Sequence, residues 1–187
     1  MSSKKVAVIT GSGDGLGKGI AERLAQDGFA IVLSDINPDT LAKTEAEFKA
    51  RGAAVSAFLG DVGKREDQFA LVKHAADTFG RMDVFINNAG IEDVMALEDV
   101  READIDRVFN INVKGVIFGT QAAAEQMKKQ GGGRVCKIIN ACSIREKPVH
   151  KVYSEVGTYQ KLKNKNPSLK IGVGGCVGQQ EKEKLIK

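Results

Sequence analysis

An apolar run of five residues, Val6 to Thr10, breaks without a spacer into Gly11-Ser12-Gly13-Asp14-Gly15-Leu16-Gly17, and helical spacing begins at once with Ile20, Ala21, Leu24 and Ala25. The pattern reads as a buried strand, a glycine-spaced turn and an amphipathic helix. Glycine has no Cβ, so the backbone can turn tightly there and lie close to whatever stands opposite. The same rhythm then recurs without any internal sequence repeat. Ala30 to Ser34 is a second buried strand, ended by Asp35; Pro38 stands where a helix can begin, and Leu41, Glu45 and Phe48 carry that helix to Gly52. Ala54 to Leu59 is a third strand, and the next helix runs from about Arg65 to Phe79 with Phe69, Val72 and Ala76 on one side. Gly80 closes it, and Met82 to Ile86 is a fourth strand.

From about Asp104 to Lys129 the chain is mostly helical, with Ile105, Val108, Phe109, Val116, Ile117, Ala123 and Met127 as apolar positions. Gly131-Gly132-Gly133 breaks it, and Val135 to Ile139 is a fifth strand. A helix from about Lys147 to Lys165, a sixth strand from Leu169 to Val173 and a closing helix near Gln179 to Ile186 complete the alternation. The economical arrangement is α/β: one parallel sheet covered by helices on both faces, with ligand-binding loops along the edge where the strands end. A length of 187 residues suits one domain able to bury a core without disulfides or metal. No run approaches the length of a membrane span, and the basic start leads into a strand rather than a signal peptide. Cytoplasm is therefore the expected compartment, and Cys136, Cys142 and Cys176 are expected to be reduced or to ligate something.

The glycine-spaced loop has a specific chemical use. Close backbone approach, followed by free amides at a helix N-terminus, suits a pyrophosphate. Asp35, at the end of the next strand, can take two hydrogen bonds from a ribose diol and would repel a 2'-phosphate, so the expected cofactor is NAD rather than NADP. With Thr10, Gly11, Gly15 and Gly17 in place, the chain resembles the classical short-chain dehydrogenase/reductase family, and further motifs carry the resemblance across about residues 4 to 144. Asp61-Val62 matches the family's adenine-framing pair, Asn87-Asn88-Ala89-Gly90 is its Asn-Asn-Ala-Gly motif intact, and Asn112 and Ser143 match its catalytic asparagine and serine. Around Ile91-Glu92-Asp93-Val94-Met95 the wording is closest to diacetyl/acetoin reductases, also called butanediol dehydrogenases.

The resemblance implies a doubly wound, mostly parallel, Rossmann-like sheet of about six strands, with residues 1 to 144 as the NAD-binding region. It implies an NAD-dependent oxidoreductase acting on a small diketone or hydroxyketone. It places Gly11, Ser12, Asp14, Gly15, Leu16, Gly17, Asp35, Asp61, Val62, Asn88, Ala89 and Gly90 at the cofactor. Asn87 and Asn112 have a plainer use as well, since such side chains often satisfy buried backbone groups.

Hydride chemistry at a carbinol needs a proton carrier, and a tyrosine serves near neutral pH only beside a cation that lowers its pKa. The family's Tyr-x-x-x-Lys pair belongs about 13 residues after the serine, where this chain has Val156. Tyr153 has Gly157 four positions on; Tyr159 does have Lys163 on the same helix face but lies 16 residues after Ser143. Tyr159 and Lys163 are thus the candidate pair, and impaired catalysis is the expectation. The family also continues through a seventh strand and a substrate loop, so a truncated pocket and an incomplete oligomer face are expected.

Residues 145 to 187 form a basic α/β segment expected to continue the same domain. Residues 146 to 187 carry nine lysines against four glutamates, which fits a solvated helix face better than a nucleic-acid surface. From Asn140 onward the chain also resembles the N-terminal domain of tRNA methylthiotransferases, through Asn140-Ala141-Cys142-Ser143-Ile144-Arg145 and Gly175-Cys176-Val177-Gly178-Gln179. That resemblance implies a chimeric chain and makes Cys142 and Cys176 two of the three ligands of an iron-sulfur cluster. The third ligand's segment is absent, Cys136 is the spare thiol, and the C-x-x-x-C-x-x-C loop is missing. No metal site is therefore expected.

Overall fold

The computed structural model describes residues 4–92 and 96–137, which belong to a unit running Met1–Lys137. Five strands, β1 (Val6–Thr10), β2 (Ala30–Asp35), β3 (Val55–Leu59), β4 (Val84–Asn87) and β5 (Arg134–Lys137), form one sheet in the order β3-β2-β1-β4-β5. Every pairing is parallel. The chain runs outward from β1 to β3 and then returns to the other side of β1, so its direction of winding reverses between β1 and β4. Such a reversal opens a crevice at the strand C-termini. The expected sixth strand and the helices beyond Ile139 lie outside the described residues.

The two central strands are apolar throughout because both faces of the sheet are covered. All five residues of β1 are buried, as are the first five of β2. Side chains alternate between faces, and Val6, Val8, Ala30, Val32 and Phe85 share one core with Leu71, Val72, Ala75, Ala122, Ala123 and Met127. These last residues come from helices α3 (Arg65–Phe79) and α5 (Gly115–Lys129). Helices α1 (Gly15–Gln26) and α2 (Pro38–Ala50) bury Ala21, Leu41 and Phe48. Helix α2 starts at Pro38 because Asn37 caps it, its side-chain oxygen accepting from the amides of Asp39 and Thr40 at 3.0 and 3.2 Å. Gly80, with φ of 77°, ends α3 in the left-handed conformation.

Two features of the expected helices differ. The buried side of α3 is Gln68, Leu71, Val72 and Ala75, so its inward stripe is turned from the expected Phe69, Val72 and Ala76. Phe69 packs against the edge of the core, partly buried, with the Arg65 guanidinium 4.1 Å from its ring centre. The expected long helix from Asp104 is divided into α4 (Glu102–Phe109), a π-turn over Asn110–Lys114, and α5. Of the apolar positions named for it, Ala123 and Met127 are buried, together with Gly115, Gly119 and Ala122, whereas Ile105, Phe109 and Ile117 are exposed. The reason is close approach: a Cβ on Gly119 would stand 2.5 Å from Asn87 Oδ1 and 2.9 Å from the Phe85 ring, so bulky residues are forced to other faces of α5.

At the start of α4, buried Asp104 accepts from the Arg101 amide at 3.1 Å and from its guanidinium at 2.8 and 2.9 Å. The Arg101 side chain, then its amide, lower the Asp104 pKa to about 2. A depressed carboxyl stabilises the fold above its unfolded pKa of about 3.9 and loses that contribution as pH falls through the folded value. The gap in urea midpoint between the wild type and Asp104→Asn should thus be open at pH 6 and narrow as the pH falls toward 2, where this carboxyl is almost fully protonated in the unfolded state and about half protonated in the folded one. An equal gap across that range in equilibrium denaturation would refute the assignment.

Candidate cofactor site

The ends of β1, β2 and β4 meet because their registers align: Thr10 pairs with Ser34, and Ile9 with Ile86. The residues that end or directly follow these strands, Gly11, Asp35 and Asn87-Asn88, therefore lie along one edge of the sheet. Thr10 joins two of these exits. Its hydroxyl accepts from the amides of Asn88 and Ala89, both at 3.1 Å, and donates to the Ile86 carbonyl at 3.3 Å. The Asn88 side-chain amide donates in return to the carbonyls of Thr10 and Gly11, each at 2.9 Å.

Glycine is required where these segments touch. A Cβ on Gly11, whose φ is 62°, would lie 2.8 Å from Ala89 Cα, and one on Gly17 would lie 2.0 Å from the Gly11 carbonyl oxygen. Gly15 also has a positive φ, 53°, but faces open space. Ser12 is fully buried and latches the loop to β2: its hydroxyl donates to the Ile9 carbonyl at 2.8 Å and accepts from the Ser34 amide at 3.0 Å. Asp14 precedes α1 without a side-chain cap, and no acidic residue occupies the first turn. The leading amides of α1 thus lack intrahelical acceptors and carry the positive end of the helix dipole. Leu16 is exposed there.

A cleft of about 580 Å³ opens along this edge, lined by Gly11, Asp14, Asp35, Asp61, Val62, Asn88, Ala89 and Gly90 among others. Eight of the twelve expected cofactor residues thus line one space; Ser12, Gly15, Leu16 and Gly17 shape or border its glycine-rich rim. Asp35 is held in orientation by the Gly13 amide on Oδ2 at 2.9 Å and the Asn37 amide on Oδ1 at 3.1 Å. Each oxygen keeps further acceptor capacity. Asp61 Oδ1 accepts from the Gly63 amide at 2.9 Å, shaping the turn that carries Val62.

Asn112 lies in the π-turn, and its carboxamide forms a reciprocal pair with Ile91: Oδ1 accepts from the Ile91 amide at 2.9 Å and Nδ2 donates to its carbonyl at 2.8 Å. Its side chain therefore secures the segment after β4, while Asn87 donates to the Thr120 hydroxyl at 3.4 Å. Ser143, Tyr153, Tyr159 and Lys163, with Cys142 and Cys176, lie outside the described residues. Cys136 is exposed on β5. Among the described residues no group of three His, Cys, Asp or Glu side chains is placed to hold a metal ion, and no helix is long and apolar enough to cross a membrane.

The sequence motifs gave no site role to Ile36, Gly60, Ile91, Arg107, Asn110 or Ile111, which also line the cleft. Ile36 directly follows Asp35 and so had a positional signal. Arg107, Asn110 and Ile111 had none, because a helix that breaks its period with a π-turn leaves no trace in apolar spacing.

The model of the short chain dehydrogenase family matches residues 5–155. The chain belongs to the short chain dehydrogenase family. It is 51% identical over 160 residues to an (S)-acetoin-forming diacetyl reductase of Staphylococcus epidermidis, a match covering 86% of this chain and 60% of that relative. A short chain dehydrogenase/reductase from Burkholderia phymatum, solved in complex with NAD, is 31% identical with a TM-score of 0.75 over 92% of this chain and 64% of that one. An NAD+-bound xylitol dehydrogenase is 32% identical with a TM-score of 0.69, covering 75% and 55% of the two chains. The chain therefore spans about six tenths of the length of the S. epidermidis reductase. Tyr153 falls inside the family match, whereas Tyr159 and Lys163 fall beyond it.

Two of the three glycines of the family motif give a direct test. Gly17→Ala should lower the thermal midpoint sharply, since the methyl group would overlap backbone. Gly15→Ala should cost only about 1–2 kcal/mol for the left-handed conformation. Thermal unfolding of both variants checks this, and equal losses would contradict the packing described.

Proposed function

We propose that this chain binds NAD(H) in the cleft at the ends of β1, β2 and β4, as the cofactor-binding portion of a reductase of small diketones or hydroxyketones. The observation that carries the reading is the gathering of the Asp35 carboxylate, the glycine-lined start of α1, Asp61-Val62 and Asn88 to Gly90 around a single space. The residues fit the cofactor chemically. Asp35 would receive the adenosine ribose hydroxyls and disfavour a 2'-phosphate, and the free amides of α1 would meet the pyrophosphate charge. Ile36 and Val62 would flank the adenine, leaving Gly90 and Ile91 toward the nicotinamide. Bound NADH would supply hydride.

The preference for a small dicarbonyl or hydroxyketone rests on the likeness to the S. epidermidis diacetyl reductase. Ser143 would hold the substrate oxygen, and Asn112 would act through the Ile91 backbone that it pairs with. Proton delivery is the weak link. Val156 stands where the family's tyrosine belongs, and Tyr159 with Lys163 is displaced by three residues. Binding is accordingly expected to exceed catalysis.

Calorimetric titration of the full chain should show NADH binding more tightly than NADPH. In Asp35→Ala the NADH affinity should fall at least about tenfold, as expected for losing hydrogen bonds to a charged acceptor, and the discrimination against NADPH should shrink. No NADH binding by the wild type would end this reading. With diacetyl or acetoin as substrate, turnover should be weak, and Ser143→Ala should abolish what remains; turnover unchanged in that variant would remove Ser143 from the proposed chemistry.

A further inference from the structure

Gln68 is 1% exposed, yet it is a polar residue on the buried face of α3 beneath the cleft. Its Nε2 donates to the Gly115 carbonyl at 3.2 Å and reaches the Val62 carbonyl at 3.5 Å. Its Oε1 is buried without a hydrogen-bond partner. Burying an unpaired carbonyl is unfavourable, so an apolar residue of similar length would suit the helix core better if packing were the only demand. What the glutamine alone supplies is a pair of donors spanning two segments. One segment is the turn after β3 that brings Asp61 and Val62 to the cleft; the other is the junction of the π-turn with α5. These segments are pressed together without slack. A Cβ on Gly63 would lie 2.2 Å from Asn110 Nδ2, and a Cβ on Gly115 would lie 3.1 Å from both Val62 Cγ2 and the Val62 carbonyl oxygen. Val62 and Asn110 both line the cleft.

Resting on the proposed cofactor reading, we infer that Gln68 is a positioning residue for the adenosine half of the dinucleotide. It touches no ligand. Its side-chain amide pins the turn carrying Asp61 and Val62 against the π-turn, and so sets the position of the wall on which the adenosine half rests. The contact belongs to the tertiary structure alone, since Gln68 and Gly115 are 47 residues apart.

The test compares the full-length wild type with Gln68→Met, which keeps the length and removes the donors, and with Leu71→Ala, a core truncation on the same helix face. NADH and ADP-ribose are titrated into each, and apo thermal midpoints are recorded. Gln68→Met should weaken NADH and ADP-ribose by the same factor, about tenfold for loss of one buried hydrogen-bonding group, with little change in midpoint because the orphaned carbonyl is removed as well. Leu71→Ala should lower the midpoint much more and leave both dissociation constants as in the wild type. Should Gln68→Met fold poorly, Gln68→Leu serves instead, since it too removes the donors together with the orphaned carbonyl. Unchanged dissociation constants in the folded Gln68 variant, or a loss matched by Leu71→Ala, would overturn the inference while leaving the cofactor reading standing. Absence of NADH binding in the wild type would overturn both.

Discussion

The hydroxyl of Thr10 ties together the two strand ends between which the sheet reverses its winding. It accepts the amides of Asn88 and Ala89 and donates to Ile86, while Asn88 returns two bonds to the carbonyls of Thr10 and Gly11. Backbone groups at the end of a parallel strand have no further ladder partner, and leaving them buried without one would cost free energy. The exchange between Thr10 and Asn88 satisfies them and brings the glycine-rich loop against the segment after β4. Everything that lines the cleft from that side takes its place from this junction.

A similar device recurs on both ends of β4. At one end Asn112 pairs reciprocally with the Ile91 backbone; at the other Gln130 accepts from the Met82 amide at 3.1 Å and donates to its carbonyl at 2.6 Å. Side-chain amides carry both donor and acceptor, so they can stand in for a neighbouring strand. The π-turn is what makes the Asn112 contact. By widening one turn of the helix it places Asn110 and Ile111 at the cleft and Asn112 against the Ile91 backbone, while α5, with Gly115 and Gly119, remains close to the sheet.

Most of the sheet was legible from local pattern. Val6 to Thr10, Ala30 to Ser34 and Arg65 to Phe79 were readable because their apolar spacing, Asp35 and Gly80 mark the same ends that the backbone adopts. The helical stretch after Asp104 was legible as helix but not as two helices, and its apolar positions proved buried at Ala123 and Met127 but exposed at Ile105, Phe109 and Ile117. Apolar spacing assumes that large residues point inward, whereas α5 approaches Phe85 so closely that glycine and alanine occupy its buried face and Ile117 is displaced to solvent. At the site, Asp35, Asp61 and the Asn88 to Gly90 segment were found through motifs. Gln68 went unnoticed because nothing local distinguishes it from any other polar helix residue.

By itself the sequence determined the family, the parallel α/β rhythm and the chemical kinds of group at the cleft, since glycine at a tight turn and a carboxylate at a strand end are demanded by local backbone and charge. It also places Tyr159 and Lys163 16 and 20 residues after Ser143. Only the tertiary structure decided that Ser12 serves as a latch, that Asn112 spends its side chain on Ile91, and that Gln68 reaches Val62 and Gly115. Those roles depend on which carbonyls and amides are left without partners once distant segments have packed, and that shortage exists only in the folded chain.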